Sequence, residues 1–182
     1  MPSANQILHG TISGWIRDLD EVTRRIEYPP AHKWGGEALI AAIDPLEPAL
    51  IALAGFMRIL SAQFVRGFAG KILNIHPSLL PKFPGLHTHR RALEAHEPEH
   101  GATVHFVTER LDGGPPVIQA RVAVKPNDDE ATLAARVQAQ EHRIYPLAVR
   151  WFCEGRLRYD AGCAWLDGRL LREPVQFSGV EP

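Results

Sequence analysis

The chain has 182 residues, of which 45% are apolar and 23% charged, and its formal net charge is −1. That length supports one domain with a real core, and the balanced charge gives no footprint for nucleic acid or an acidic membrane. No apolar run reaches spanning length, no basic-then-apolar leader opens the chain, and Cys153 and Cys163 make no disulfide framework, so a cytoplasmic protein is expected.

Residues 1–36 carry the weakest pattern. Ile7-Leu8 and Ile12 to Ile16 are thinly apolar, Arg17 to Ile26 fits one or two helical turns, and Pro29-Pro30 ends them. No glycine-rich phosphate loop is visible there. From Glu37 the periodicity sharpens. Ala38–Ile43 reads as a helix stopped by Pro45, and Ala49–Ala54 as a parallel strand covered on both faces, ending at Gly55. Ser61 is placed to cap a helix through Phe64 and Val65, and Lys71–Ile75 is the next strand. Strand, helix and strand in about thirty residues make a right-handed βαβ unit.

The segment after it breaks at Pro77, Pro81, Pro84 and Gly85. Asn74 and His76 come where the strand gives out, and residues two apart in a strand share a face. Both therefore project together from the carboxyl end, where open α/β sheets keep their sites. A neutral donor beside an imidazole suits a developing oxyanion. Taken alone, the triplet reads more readily as a turn-former and a satisfied histidine.

Further along, Thr88 is expected to cap a helix to Ala95, His96–Gly101 to form a polar turn, and Thr103–Val107 to form a strand. Leu111-Asp112-Gly113-Gly114-Pro115 is a tight turn whose glycines can take positive φ. Ile118, Ala120, Val122 and Val124 then line one face of a strand, against Gln119, Arg121 and Lys125. Asn127, Asp128 or Asp129 caps the longest helix, about Glu130–Phe152, with an apolar stripe interrupted by a polar turn at Gln138–His142. Arg156–Tyr159 and Cys163–Leu166 read as a hairpin.

The stretch from Asn74 to His89, Asn-Ile-His-Pro-Ser-Leu-Leu-Pro-Lys-Phe-Pro-Gly-Leu-His-Thr-His, resembles the signature of the phosphoribosylglycinamide (glycinamide ribonucleotide) formyltransferase family. Ala54-Gly-Phe-Met-Arg-Ile-Leu60, the Leu-Asp-Gly-Gly within Gly101–Gly114, Gln138-Ala-Gln-Glu-His-Arg-Ile-Tyr-Pro146 and Ala164-Trp-Leu-Asp-Gly168 agree in order and spacing. The resemblance implies a doubly wound, Rossmann-like α/β fold with a mostly parallel sheet. It divides the chain into an unmatched, weakly structured segment 1–36, a formyltransferase domain 37–170 and a tail 171–182. It implies transfer of a formyl group from 10-formyltetrahydrofolate, with no metal, to the amine of glycinamide ribonucleotide in purine biosynthesis. Related formyl enzymes, the formyltetrahydrofolate deformylases, share the Asn-x-His, so hydrolysis of the donor is the alternative, followed by a catalytically impaired paralogue.

Carried over by matching position, Asn74, His76 and Asp112 resemble the catalytic trio. Asn74 and a protonated His76 would hold the oxyanion, while Asp112 would favour the imidazolium and take the amine proton. The folate would lie, with Asn74, on Met57, Arg58, Ile59 and Leu60 and on Thr108, Glu109, Arg110, Leu111 and Asp112, largely through backbone groups. Gln138, Ala139, Gln140 and Glu141 would face the nucleotide, with Glu141 at the ribose hydroxyls, and Leu80-Pro81 would be cis. His87-Thr88-His89 lacks further ligands or a nearby cysteine, so no zinc site is expected.

The family's first strand and its Gly-Asn-Gly-Ser-Asn-like phosphate loop have no counterpart in residues 1–36. The resemblance therefore reads as N-terminally truncated or divergent. Two expectations follow: weakened phosphate binding, and an unpaired hydrophobic edge at Ala49–Ala54 that invites homo-oligomers.

Overall fold

The structure is a computed structural model that describes residues 6–9, 24–26, 36–56 and 58–179. Its main sheet runs in the order β10-β6-β5-β4-β3-β1-β2, from β1 (Gln6–His9), β2 (Arg24–Ile26), β3 (Ile51–Ala54), β4 (Ile72–His76), β5 (Glu99–Phe106), β6 (Pro116–Ala123) and β10 (Val175–Gln176). Pairing is parallel from β2 through β1 and β3 to β4, antiparallel at β4–β5 and β5–β6, and parallel again at β6–β10. A small antiparallel sheet holds β7 (Leu157–Asp160), β8 (Cys163–Leu166) and β9 (Arg169–Leu170). The α/β, mostly parallel architecture expected from the sequence is present.

The helices follow local chemistry. Between α1 (Gly36–Ile43) and β3, Pro45 sits in a 3-10 turn. Ser61 Oγ accepts the Phe64 amide at 3.2 Å and opens α2 (Ala62–Gly67). Asp129 and Thr132 exchange side-chain and backbone bonds in a capping box that starts α4 (Glu130–Cys153). α3 (Thr88–Glu94) departs from expectation, because its cap is His87 in a left-handed conformation and Thr88 is already helical and buried.

Two apolar layers flank the sheet. On one face Leu73, Ile75, Val104, Phe106, Ile118 and Ala120 pack with Leu133, Val137, Ile144 and Trp151 of α4. On the other face Ile51, Leu53 and Ile72 pack with Leu39 and Ile43 of α1 and Phe64 of α2. Alternation along β4 thus sends Leu73 and Ile75 toward α4, and Ile72, Asn74 and His76 to the opposite face. In the antiparallel register Asn74 stands across from His105 and His76 across from Thr103.

Several expectations need correction. The Ala49–Ala54 strand is not an open edge, because β1 pairs with β3 in parallel from Gln6↔Ile51 to His9↔Ala54 and satisfies that side of its backbone. An edge at this strand therefore supplies no route to homo-oligomers. Arg24–Ile26, assigned to a helical turn, is a strand beside β1, while Arg17–Thr23 lie outside the described residues. The turn at His96–Gly101 is shorter than expected, since β5 begins at Glu99. Within residues 171–182, Val175 and Gln176 form a strand on β6. In the Leu111–Pro115 turn the positive φ, 47°, belongs to Asp112 and not to the glycines. Gly114 is needed for another reason: a Cβ there would overlap the Phe106 carbonyl. Leu80–Pro81 is cis.

Candidate active site

The sheet face away from α4 is polar where β4, β5 and β6 meet. Gln119, expected on the same strand face as Arg121, is 4% exposed there because its β6 register sets it opposite Thr103. Its amide nitrogen donates to the Leu80 carbonyl at 2.8 Å and to Thr103 Oγ at 3.0 Å. The Thr103 hydroxyl in turn donates to the Ser78 carbonyl at 2.6 Å and accepts the Leu80 amide at 3.1 Å. Every hydrogen-bonding position of that hydroxyl is used, and the chain beyond His76 is tied to the sheet.

Four side chains converge beside this anchor. Asn74 Nδ2 lies 3.1 Å from His105 Nε2, and His105 Nδ1 lies 2.9 Å from the Phe106 carbonyl. A carbonyl only accepts, so Nδ1 carries the proton and Nε2 accepts from Asn74. Burial lowers the pKa of the His105 imidazole, against the Phe106 carbonyl and Asp112, and so favours the neutral ring that this bonding pattern requires. The orientation of Asn74 is thereby set. An amide nitrogen has two hydrogens, and the one not given to His105 remains for an oxygen in the cavity. A register shift between Val104 and His105 accompanies this aim, as bulges do beside sites.

Asp112 reaches the cluster from the turn after β5. Its Oδ2 accepts the Gly85 amide at 2.8 Å and lies 3.5 Å from His76 Nδ1, while Oδ1 lies 3.7 Å from His105 Nε2. His76 Nε2 donates to the Phe83 carbonyl at 3.0 Å. Both nitrogens of His76 therefore face fixed oxygens of the protein. Nearby, His100 Nε2 and His89 Nδ1 are 3.2 Å apart, and burial pushes His100 down to about 4 and lowers His89.

In front of the cluster lies a cleft that opens to solvent. Its walls include Leu53, Phe56, Leu60 and Val107, its polar end Asn74, His105 and Asp112, and its mouth the exposed Ile59 (85%) and Leu111 (58%). Apolar walls converging on a few polar groups suit a flat heteroaromatic ligand with a reactive end. Arg58, Ile59, Leu60, Asn74, Thr108, Glu109, Arg110, Leu111 and Asp112, all expected on the folate side, line this cleft. Met57 lies outside the described residues.

His76 is not among the lining residues and sits behind Asp112, 6% exposed. Gln138, Ala139, Gln140 and Glu141 lie on α4 and do not line the cleft. Burial pushes the Glu141 carboxyl up to about 7. Sequence reasoning missed His105 and Gln119. The signal was available in Thr103-x-His105, which repeats the spacing of Asn74-x-His76 on the next strand. Among the described residues no cluster of three or more metal-ligating side chains occurs, and no helix is long and apolar enough to cross a membrane.

Comparison with known proteins gives a consistent match. A family model described as formyl transferase matches residues 22–149, beginning ahead of Glu37. The chain is 59% identical over 133 residues to a phosphoribosylglycinamide formyltransferase of Escherichia coli K12, covering 73% of this chain and 63% of that protein. It is 57% identical over 122 residues to one of Haemophilus influenzae, covering 67% of this chain and 58% of that protein. It thus spans less than two thirds of the length of these two relatives. Among solved structures it is similar to the Coxiella burnetii phosphoribosylglycinamide formyltransferase, with a TM-score of 0.76 and 46% identity over 87% of this chain and 76% of that one.

Proposed function

The chain belongs to the formyl transferase family, and from that premise we propose that it moves the formyl group of 10-formyltetrahydrofolate onto the amine of glycinamide ribonucleotide, a cytoplasmic step of purine biosynthesis. The observation that carries this reading is the convergence of Asn74, His105 and Asp112, with His76 behind Asp112, at the polar end of an apolar cleft.

The folate donor would supply the formyl carbon, with its ring system against the apolar walls of the cleft. As the amine adds, negative charge grows on the formyl oxygen and positive charge on the nitrogen. Asn74 Nδ2, held by neutral His105, donates its second hydrogen to that oxygen. Asp112, with His76 Nδ1 3.5 Å from it, takes the proton that the nitrogen sheds. The oxyanion collapses as the carbon–nitrogen bond to the folate breaks, the departing folate nitrogen taking up that proton. With Nε2 tied to Phe83, His76 acts through Asp112 and not on the formyl oxygen directly. Gln138, Ala139, Gln140 and Glu141 form the nucleotide side outside the cleft, where ribose hydroxyls would give the Glu141 carboxyl the donors that burial denies it.

The test is to incubate the protein with 10-formyltetrahydrofolate, with and without glycinamide ribonucleotide, and to follow deformylated folate, formylated nucleotide and formate. Nucleotide-dependent transfer is the expected result. Formate release without nucleotide would assign a hydrolase, and no turnover in either condition overturns the reading.

A further inference from the structure

Five residues, Phe83 to His87, pass over His76 and Asp112 in a conformation few side chains favour: φ is 52° at Phe83, 78° at Gly85 and 57° at His87. Such a strap keeps its shape only when its surroundings fix it. Arg91, one helical turn into α3, donates from Nη1 to the Pro84 carbonyl at 2.7 Å and to the Leu86 carbonyl at 3.4 Å. Its guanidinium lies 5.4 Å from the centre of the Phe83 ring. The Phe83 ring also meets His100 edge-on at 6.1 Å, so the residue is held from both sides.

We infer that Arg91 is a positioning residue that sets the hydrogen bonding of His76 and Asp112 through this strap. The strap presents two groups inward. The Phe83 carbonyl receives His76 Nε2–H, which leaves Nδ1 as the nitrogen facing Asp112. The Gly85 amide binds Asp112 Oδ2, the same oxygen that faces His76. Arg91 Nη1 bonds the carbonyls of Pro84 and Leu86, on either side of that amide, so a single nitrogen ties both ends of the segment that carries it. Lysine keeps a charge and donors but lacks the planar guanidinium that lies against the Phe83 ring while Nη1 reaches the carbonyls.

The inference rests on the functional reading above for its kinetic arm alone. Arg91→Met and Arg91→Lys are compared with the wild type in circular dichroism, steady-state kinetics and nitrogen-15 NMR of the histidine side chains. Arg91→Met is expected to fold, to lose about 10–100-fold in kcat with both KM values within about threefold, and to lose the slowly exchanging His76 Nε2–H signal to solvent. Arg91→Lys is expected to recover part of both. An Arg91→Met protein that keeps the His76 signal overturns the inference, whether or not its activity falls. Should the wild type transfer no formyl group, the functional reading fails while the NMR comparison still decides the role of Arg91.

Discussion

His76 Nδ1 and Asp112 Oδ2 face each other across 3.5 Å, in side chains that are 7% and 10% exposed. The residues are 36 positions apart, the first at the end of β4 and the second in the turn after β5. The β4–β5 ladder and the strap bring them together. Asp112→Asn keeps the volume and an oxygen for the Gly85 amide but removes the carboxylate. Formyl transfer should fall about 10²–10⁴-fold, as for a lost acid–base group, with folate binding within a few-fold. Calorimetric titration with folate beside a turnover assay checks this, and wild-type turnover would remove Asp112 from the reaction.

Asn74→Ala takes away the donor aimed into the cleft. The expected loss is about 10²–10³-fold in kcat with KM for the donor little changed, since the bond forms as charge develops on the formyl oxygen. A rise in KM at constant kcat would instead show that Asn74 only binds the ground state.

Gly114→Ala tests the turn that carries Asp112. The added Cβ would overlap the Phe106 carbonyl, a backbone atom of β5 that cannot step aside as a side chain would. Destabilisation of about 1–3 kcal/mol is expected, read as a lower urea midpoint, together with lost activity. An unchanged midpoint would mean that the turn can relax away from β5.

Glu141 gives a pH-dependent prediction of definite sign. Its folded carboxyl is pushed up to about 7 by burial, so between its ordinary value and 7 the folded state binds the proton and the unfolded state does not. The penalty is absent below the unfolded pKa, grows as pH rises, and is fully present above about 7. Glu141→Gln should therefore raise the Tm at pH 8 and change it little at pH 4.5. Equal shifts at both pH values would contradict this.

The framework from Glu37 onward was legible because apolar runs and caps agree there. Ile51–Ala54 is continuously apolar, Ser61 and Asp129 cap their helices as expected, and both faces of the sheet are covered. β1 and β2 were not legible, since four and three residues are too short for a period and parallel pairing with β3 is a long-range fact. The same holds for Val175–Gln176, two residues whose strand exists only through β6. At the site, alternation put Asn74 and His76 on one face. It could not show that Phe83 would take Nε2 or that His105 would hold Asn74, because both depend on how separate segments meet.

The strand at Val175–Gln176 reaches further than its length suggests. The Gln176 amide nitrogen lies 3.4 Å from Gln119 Oε1, its oxygen accepts Arg121 Nε at 3.0 Å, and Arg143 reaches both the Phe177 ring and the Gly179 carbonyl. Release of this strand by a protease cut after Leu170 would thus bare a flank of β6 and strip an outer neighbour from Gln119, the residue that holds the Leu80 carbonyl in the segment beyond His76.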